Sequence, residues 1–75
     1  MNPVPRTLDL RGVPCPLSWA KARVTLETLA RGEEIDLLVD DPQAARDIPR
    51  AAEANGHHVA GVLLEGGGWR ITIEV

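Results

Sequence analysis

The chain contains one cysteine, no phenylalanine and no tyrosine. A lone cysteine cannot close a disulfide within the chain, which fits a reducing compartment. One cysteine and two histidines also fall short of a four-ligand zinc site, so no metal is expected. With two tryptophans as the only aromatic residues, the core has to be built from Leu, Val, Ile and Ala. No run of about 18 apolar residues occurs, so no segment is expected to span a membrane. The opening residues Met1-Asn2-Pro3-Val4-Pro5-Arg6 lack the apolar stretch of a signal peptide, and a cytoplasmic location is the expectation. Positive charge is scarce as well. Eight Lys and Arg against eleven Asp and Glu leave a net charge of −3, which argues against a general nucleic-acid binder.

What is present describes a small globular unit. Hydrophobic residues make up 44% and charged residues 25% of 75 positions, values of a folded chain rather than a disordered one. That length predicts one domain, preceded by a loose tail over residues 1–5 with its two prolines. A domain of this size buries only about 60% of its unfolded surface. It has no room for a deep, enclosed pocket, so any chemistry must sit at the surface and be shared with a partner.

The pattern predicts six elements. Arg6-Thr7-Leu8-Asp9-Leu10-Arg11 alternates polar and apolar residues and reads as a short strand, broken by Gly12-Val13-Pro14-Cys15-Pro16. Residues 16–30 read as a helix, with Trp19, Ala22, Leu26, Leu29 and Ala30 forming one apolar stripe and Lys21, Thr25 and Thr28 on another face. Pro16 suits the first turn, and Gly32 is a natural stop. Residues 33–40 predict a second strand, ended by Asp40-Asp41-Pro42. Ala44, Ala45, Ile48, Ala51 and Ala52 have helical spacing, but Pro49 disfavours a helix interior. The expectation is therefore a short turn at 42–46 and a main second helix from about 48 to 55, with Asp47 near its cap. Residues 57–64 and 69–75 predict two strands joined by Glu65-Gly66-Gly67-Gly68 as a hairpin. In the last, Trp69, Ile71, Ile73 and Val75 share one face, and Arg70, Thr72 and Glu74 share the other. The predicted fold is an α/β two-layer sandwich, β-α-β-α-β-β, with a four-stranded mixed sheet and two helices packed on one face. The first two strands should run parallel.

Cys15 is the candidate catalytic residue. It stands between Pro14 and Pro16 where a helix begins. The free N–H groups and positive dipole end of a helix N-terminus stabilise a thiolate. Arg11, Lys21 and Arg23 lie close by in sequence and are candidates for stabilising that thiolate or docking a partner. The bland reading of a lone cysteine is a small buried hydrophobe, and a proline-flanked turn is a poor place to bury one. Other candidates are weaker. Asp9 and Asp41 are better explained as capping or loop residues than as catalytic acids. His57 and His58 are neighbours on a predicted strand and point to opposite faces, which does not suit a shared metal. The three glycines 66–68 lie between strands, with no following helix, and suit a hairpin rather than a phosphate loop. Trp19 is either core or an exposed anchor at an interface, and its place in the stripe favours core.

The stretch Leu8-Asp9-Leu10-Arg11-Gly12-Val13-Pro14-Cys15-Pro16-Leu17 followed by Lys21 resembles the TusA/SirA family of sulfur-carrier proteins. Asp41-Pro42, Ala44, Asp47-Ile48-Pro49 and Gly56-His57 support the resemblance, which runs from about residue 7 to 75. The resemblance implies a sulfurtransferase activity in which Cys15 relays persulfide sulfur, with Pro16 and Ser18 as supporting motif positions. The implied donor is a cysteine desulfurase or a rhodanese-like protein. The implied acceptors belong to tRNA thiolation, molybdenum-cofactor maturation or sulfur metabolism. It implies protein partners and no cofactor, and the carrier is expected to act as a monomer. One departure stands out: the family motif reads Cys-Pro-x-Pro, whereas here Ser18 replaces the second proline. That change leaves a second reading open, a regulatory or adaptor module with the same fold and no transfer chemistry.

Overall fold

The computed structural model describes residues 6–14 and 16–75. The tail expected at 1–5 and the cysteine at 15 lie outside the described residues. The elements are β1 (Arg6–Asp9), α1 (Leu17–Glu27), β2 (Glu34–Val39), α2 (Pro42–Ala54), β3 (His58–Glu65) and β4 (Gly68–Glu74). They form one four-stranded sheet in the order β1-β2-β4-β3. β1 runs parallel to β2, and β4 runs antiparallel to both β2 and β3. The expected element order and mixed sheet are those observed.

Alternation decides which face of the sheet is covered. Ile35, Leu37 and Val39 of β2 and Ile71 and Ile73 of β4 are buried, and they pack with Ala22, Leu26 and Leu29 after and within α1 and Ala44, Ile48 and Ala52 of α2. Each fully buried Leu or Ile contributes about 1.5–3 kcal/mol relative to exposure. Trp19 packs against this core while remaining partly exposed, and Ala30, expected in the stripe, is exposed. The opposite face of the sheet carries an ion-pair network, with Leu38 and Leu63 flanking Arg70. Arg70 gives Nη1 to Asp36 at 2.8 Å and Nε and Nη2 to Glu65 at 2.7 and 2.8 Å, and the Thr72 hydroxyl donates to Asp36 at 2.7 Å.

Both helices depart from the expected bounds. α1 stops at Glu27 because its last turn tightens: Thr28 N–H donates to the Thr25 carbonyl at 3.0 Å and Leu29 N–H to that of Leu26 at 3.2 Å. The correction at α2 is larger. It begins at Pro42, not at about 48, and Pro49 and Asp47 lie inside it. Asp41 is the N-cap, its carboxylate accepting from Gln43 N–H at 2.9 Å, and Pro42 fills the first helical position, where a missing N–H is no loss. Pro49 leaves the carbonyl four residues before it without its helical donor. Burial of Ala44, Ile48 and Ala52 on one side of the helix outweighs that loss. The C-terminus closes with Gly56 N–H on the Glu53 carbonyl and His57 N–H on the Ala52 carbonyl, both at 3.0 Å, the paired bonds of a Schellman cap.

The hairpin between β3 and β4 turns on Gly66 and Gly67, with φ of 55° and 83°. Two successive positive φ values match the twist of the flanking strands and favour glycine at both positions. β3 carries a bulge between Val59 and Gly61 and leaves Val62, Leu63 and Leu64 exposed. Gly68, the first residue of β4, is buried against the end of β2. A Cβ there would collide with the Val39 carbonyl oxygen and sit 3.2 Å from the Asp40 Cα. Backbone atoms cannot yield as a side-chain tip can. Gly68→Ala is therefore expected to destabilise the fold by about 1–3 kcal/mol in chemical denaturation. Gly61→Ala, which meets nothing within 4 Å, serves as the control and is expected to shift stability by less than about 1 kcal/mol.

Candidate functional site

The loop from β1 to α1 is set by the end of β2. Leu10 is buried and its N–H extends the parallel ladder to the Leu38 carbonyl at 2.7 Å. The chain then reverses in a four-residue turn, closed by Val13 N–H on the Leu10 carbonyl at 3.1 Å. Gly12, third in that turn, has φ of 81°, which a residue with a Cβ adopts only under strain. Two carboxylates hold the turn. Asp9 accepts from Arg11 N–H at 3.0 Å, and Asp40, just past β2, accepts from Gly12 N–H at 2.9 Å. Asp41 caps α2 from the adjacent position. Gly12, Val13, Pro14, Asp40 and Asp41 line an open groove of about 380 Å³.

Pro14 and Pro16 carry the chain into α1. Ser18 N–H donates to the Pro14 carbonyl at 3.0 Å and Ala20 N–H to the Pro16 carbonyl at 3.1 Å. Pro16 occupies the N-cap position, so it stands just outside the helix rather than within its first turn. Among the described residues no side chain caps this N-terminus, and no acidic residue lies in its first turn. A helix N-terminus presents a positive dipole end, which favours an anion. Cys15 lies outside the described residues.

The sequence-predicted supporting residues occupy distinct places. Arg11 is clamped by Asp9, its Nε and Nη2 donating to the two carboxylate oxygens at 2.9 and 2.8 Å. Those side-chain bonds, with the Arg11 N–H, hold the Asp9 carboxyl down at about 2 against an ordinary 3.8. The same bonds raise the Arg11 guanidinium above its ordinary value, and the charges of Asp40 and Glu65 add to that. Arg11 therefore sits among three carboxylates, and its charge is largely neutralised. Lys21 is exposed on α1, with no carboxylate within 4 Å among the described residues. It lines a second, largely apolar groove of about 460 Å³ with Leu8, Ala20, Val24 and Thr25. Arg23 is paired with Glu27 at 3.4 Å along the helix. Two residues apart on a helix means about 200° of rotation, so Lys21 and Arg23 face different ways. The three bases do not form one patch.

Ser18 is fully buried, and its Oγ has no hydrogen-bond partner among the described residues. Asp40 was missed in the sequence. Its signal is the doubled Asp40-Asp41 before Pro42, where a helix needs only one cap and the other is free to bind the loop.

Comparisons with known proteins agree with this arrangement. The model of the family described as sulfurtransferase TusA matches residues 6–75. A proposed sulfur carrier protein of Archaeoglobus fulgidus is 37% identical over 68 residues, covering 89% of this chain and 77% of the relative. The sulfur carrier protein TusA of Allochromatium vinosum is 28% identical over 67 residues, covering 89% of this chain and 88% of the relative. The crystal structure of a SirA-like protein from Desulfitobacterium hafniense superposes with a TM-score of 0.79 at 25% identity, covering 92% of this chain and 95% of that one.

The Asp9–Arg11 clamp gives a pH test. A carboxylate held below its unfolded value contributes stability that is fully present above about 3.8 and is lost as the pH falls through about 2. Because both side chains are more than half exposed, at 57% and 54%, salt should shrink the effect. NMR titration is expected to place the Asp9 midpoint near 2, and Arg11→Ala is expected to return it toward the ordinary carboxylate range. An Asp9 midpoint that Arg11→Ala does not move would show the clamp to be absent in solution.

Proposed function

The chain belongs to the sulfurtransferase TusA family, and on that premise we propose that it is a sulfur carrier whose working atom is the Sγ of Cys15. One observation supports the choice of position above the rest. The loop is tied to Asp40 and leads through Pro14 and Pro16 to an α1 N-terminus that has, among the described residues, neither a side-chain cap nor an acid in its first turn. A thiol delivered to such a place ionises more readily than a free one.

The step is a thiol–persulfide exchange. The Cys15 thiolate attacks the outer sulfur of a donor persulfide, R–S–SH. A bond forms between Sγ and that outer sulfur, the donor S–S bond breaks, and its electron pair leaves with the donor as R–S⁻. Cys15 is left as Cys–S–SH. An acceptor thiolate then attacks the outer sulfur, and the Cys15 thiolate returns. No electrons enter or leave the system, and no cofactor is required.

The shape of the molecule fits a carrier rather than a stand-alone enzyme. The groove beside the loop is open, so the partner supplies the enclosure. A cysteine desulfurase or a rhodanese-like protein suits the donor role. An acceptor in tRNA thiolation, molybdenum-cofactor maturation or sulfur metabolism suits the other. Lys21, exposed and without a carboxylate partner among the described residues, is the cation best placed to meet an acidic group on either. The carrier acts in this reading as a single copy in the cytoplasm.

Intact-mass measurement tests the proposal. Incubation with a cysteine desulfurase and cysteine, or with polysulfide, is expected to add one sulfur atom to the chain and none to Cys15→Ser. A chain that never gains sulfur, with a thiol alkylating at pH 6 no faster than a model thiol, would instead mark a binding module that keeps the fold without the transfer.

A further inference from the structure

β3 has the composition of an interior strand but stands at the edge of the sheet. Val62, Leu63 and Leu64 follow one another with no polar residue between them. A strand with one covered face alternates apolar and polar residues, as β4 does, whereas an unbroken apolar run is the mark of a strand covered on both faces. Here the three residues are 43%, 64% and 80% exposed. Pairing with β4 sorts them by face. Val62 and Leu64 stand opposite Ile71 and Trp69, on the helix side, and Leu63 stands opposite Arg70, on the other. In the order β1-β2-β4-β3 the outer side of β3 has no neighbouring strand among the described residues. A row of backbone N–H and C=O groups is therefore open beside the apolar run.

The run is complementary to itself. Two antiparallel copies related by a two-fold axis at Leu63 set that residue opposite its own counterpart, on the face of Arg70. Val62 of each copy then meets Leu64 of the other on the helix side, and Gly61 meets Glu65. Each face of the joint sheet gains apolar cross-strand pairs, the unit from which sheets draw their stability. No like charges are opposed. Glu65 is the one charged residue among positions 61–65, and it is already bound to Arg70 of its own chain at 2.7 and 2.8 Å. The bulge between Val59 and Gly61 bounds the regular edge on one side, and the turn at Gly66 bounds it on the other. Five residues a side fall well short of the roughly 20–30 of a standard interface, so the contact is weak and reversible.

We propose that β3 is a self-association edge, through which two copies of this chain pair antiparallel over residues 61–65 into one eight-stranded sheet. The contact is isologous, each copy offering the same strand, so assembly closes at two. The free edges of the joint sheet are then the two β1 strands, four residues each. Both β1–α1 loops lie toward those far ends, away from the contact. The pairing thus leaves each loop open to its own partners, and each copy carries sulfur singly whether or not it is paired. It depends on the apolar edge and not on the sulfur chemistry.

Sedimentation equilibrium from the micromolar to the millimolar range tests the pairing. The average mass is expected to climb from 8.1 kDa toward twice that value as the concentration rises. Over the same range, NMR amide shifts are expected to move for residues 61–65. Leu63→Lys sets two like charges opposite one another and is expected to weaken association by about tenfold. Leu64→Lys, at a still more exposed position, is expected to act in the same direction and covers the case in which the first variant fails to fold. Val24→Lys is the control: Val24 lies on α1 and matches Leu63 in exposure at 64%, so association is expected to be unchanged. A mass that stays at one copy into the millimolar range would overturn the self-pairing and leave this edge to a strand of another protein. Association that survives both β3 substitutions, or that Val24→Lys weakens equally, would overturn it by placing the contact elsewhere.

Discussion

Burial of Ile35, Leu37 and Val39 along one side of β2 fixes the molecule. A strand with one covered face cannot slip by a single residue without turning its whole apolar set to water. β1 is then held in register beside it, Leu8 opposite Leu37 and Asp9 opposite Leu38. The end of β1 is therefore level with the end of β2. This is what brings Gly12 within reach of the Asp40 carboxylate, and with it the loop that leads to α1. The position of the loop is a consequence of three aliphatic side chains of β2.

The two aspartates after β2 divide the remaining work. Asp41 secures α2 and Asp40 secures the loop, so helix and loop are anchored to consecutive residues of one strand end. A third carboxylate, Asp9, engages Arg11 before that guanidinium can act as a free cation. The side chains around the loop thus carry net negative charge, three carboxylates to one guanidinium. What favours an anion there is the α1 N-terminus itself, a field built from backbone dipoles that no titrating side chain can switch off.

Much of this was legible in the sequence. The strict alternation from Trp69 to Val75 announced a one-sided strand, and the glycine run announced the hairpin. The cysteine between prolines announced the loop. What escaped was tertiary. Pro49 read as a helix boundary because local rules weigh its missing hydrogen bond, while only the packed structure shows Ala44, Ile48 and Ala52 outweighing it. Arg11, Lys21 and Arg23 looked like one basic cluster because they are close in sequence. The Asp9 clamp, the Glu27 pair and the turn of α1 disperse them. Ser18 read as a supporting motif position, and nothing short of the packing of α1 on the sheet shows it buried.

The two ends of the sheet also bear on how the protein survives in a crowded solution. An open strand edge offers unpaired N–H and C=O groups to any passing chain and is the usual seed of aggregation. β1, four residues long, is too short to template much of a ladder. β3 is longer and exposes Val62, Leu63 and Leu64, but its bulge between Val59 and Gly61 breaks the regular spacing that a second strand would have to match. The irregularity in β3 thus confines the regular part of that apolar edge to residues 61–65.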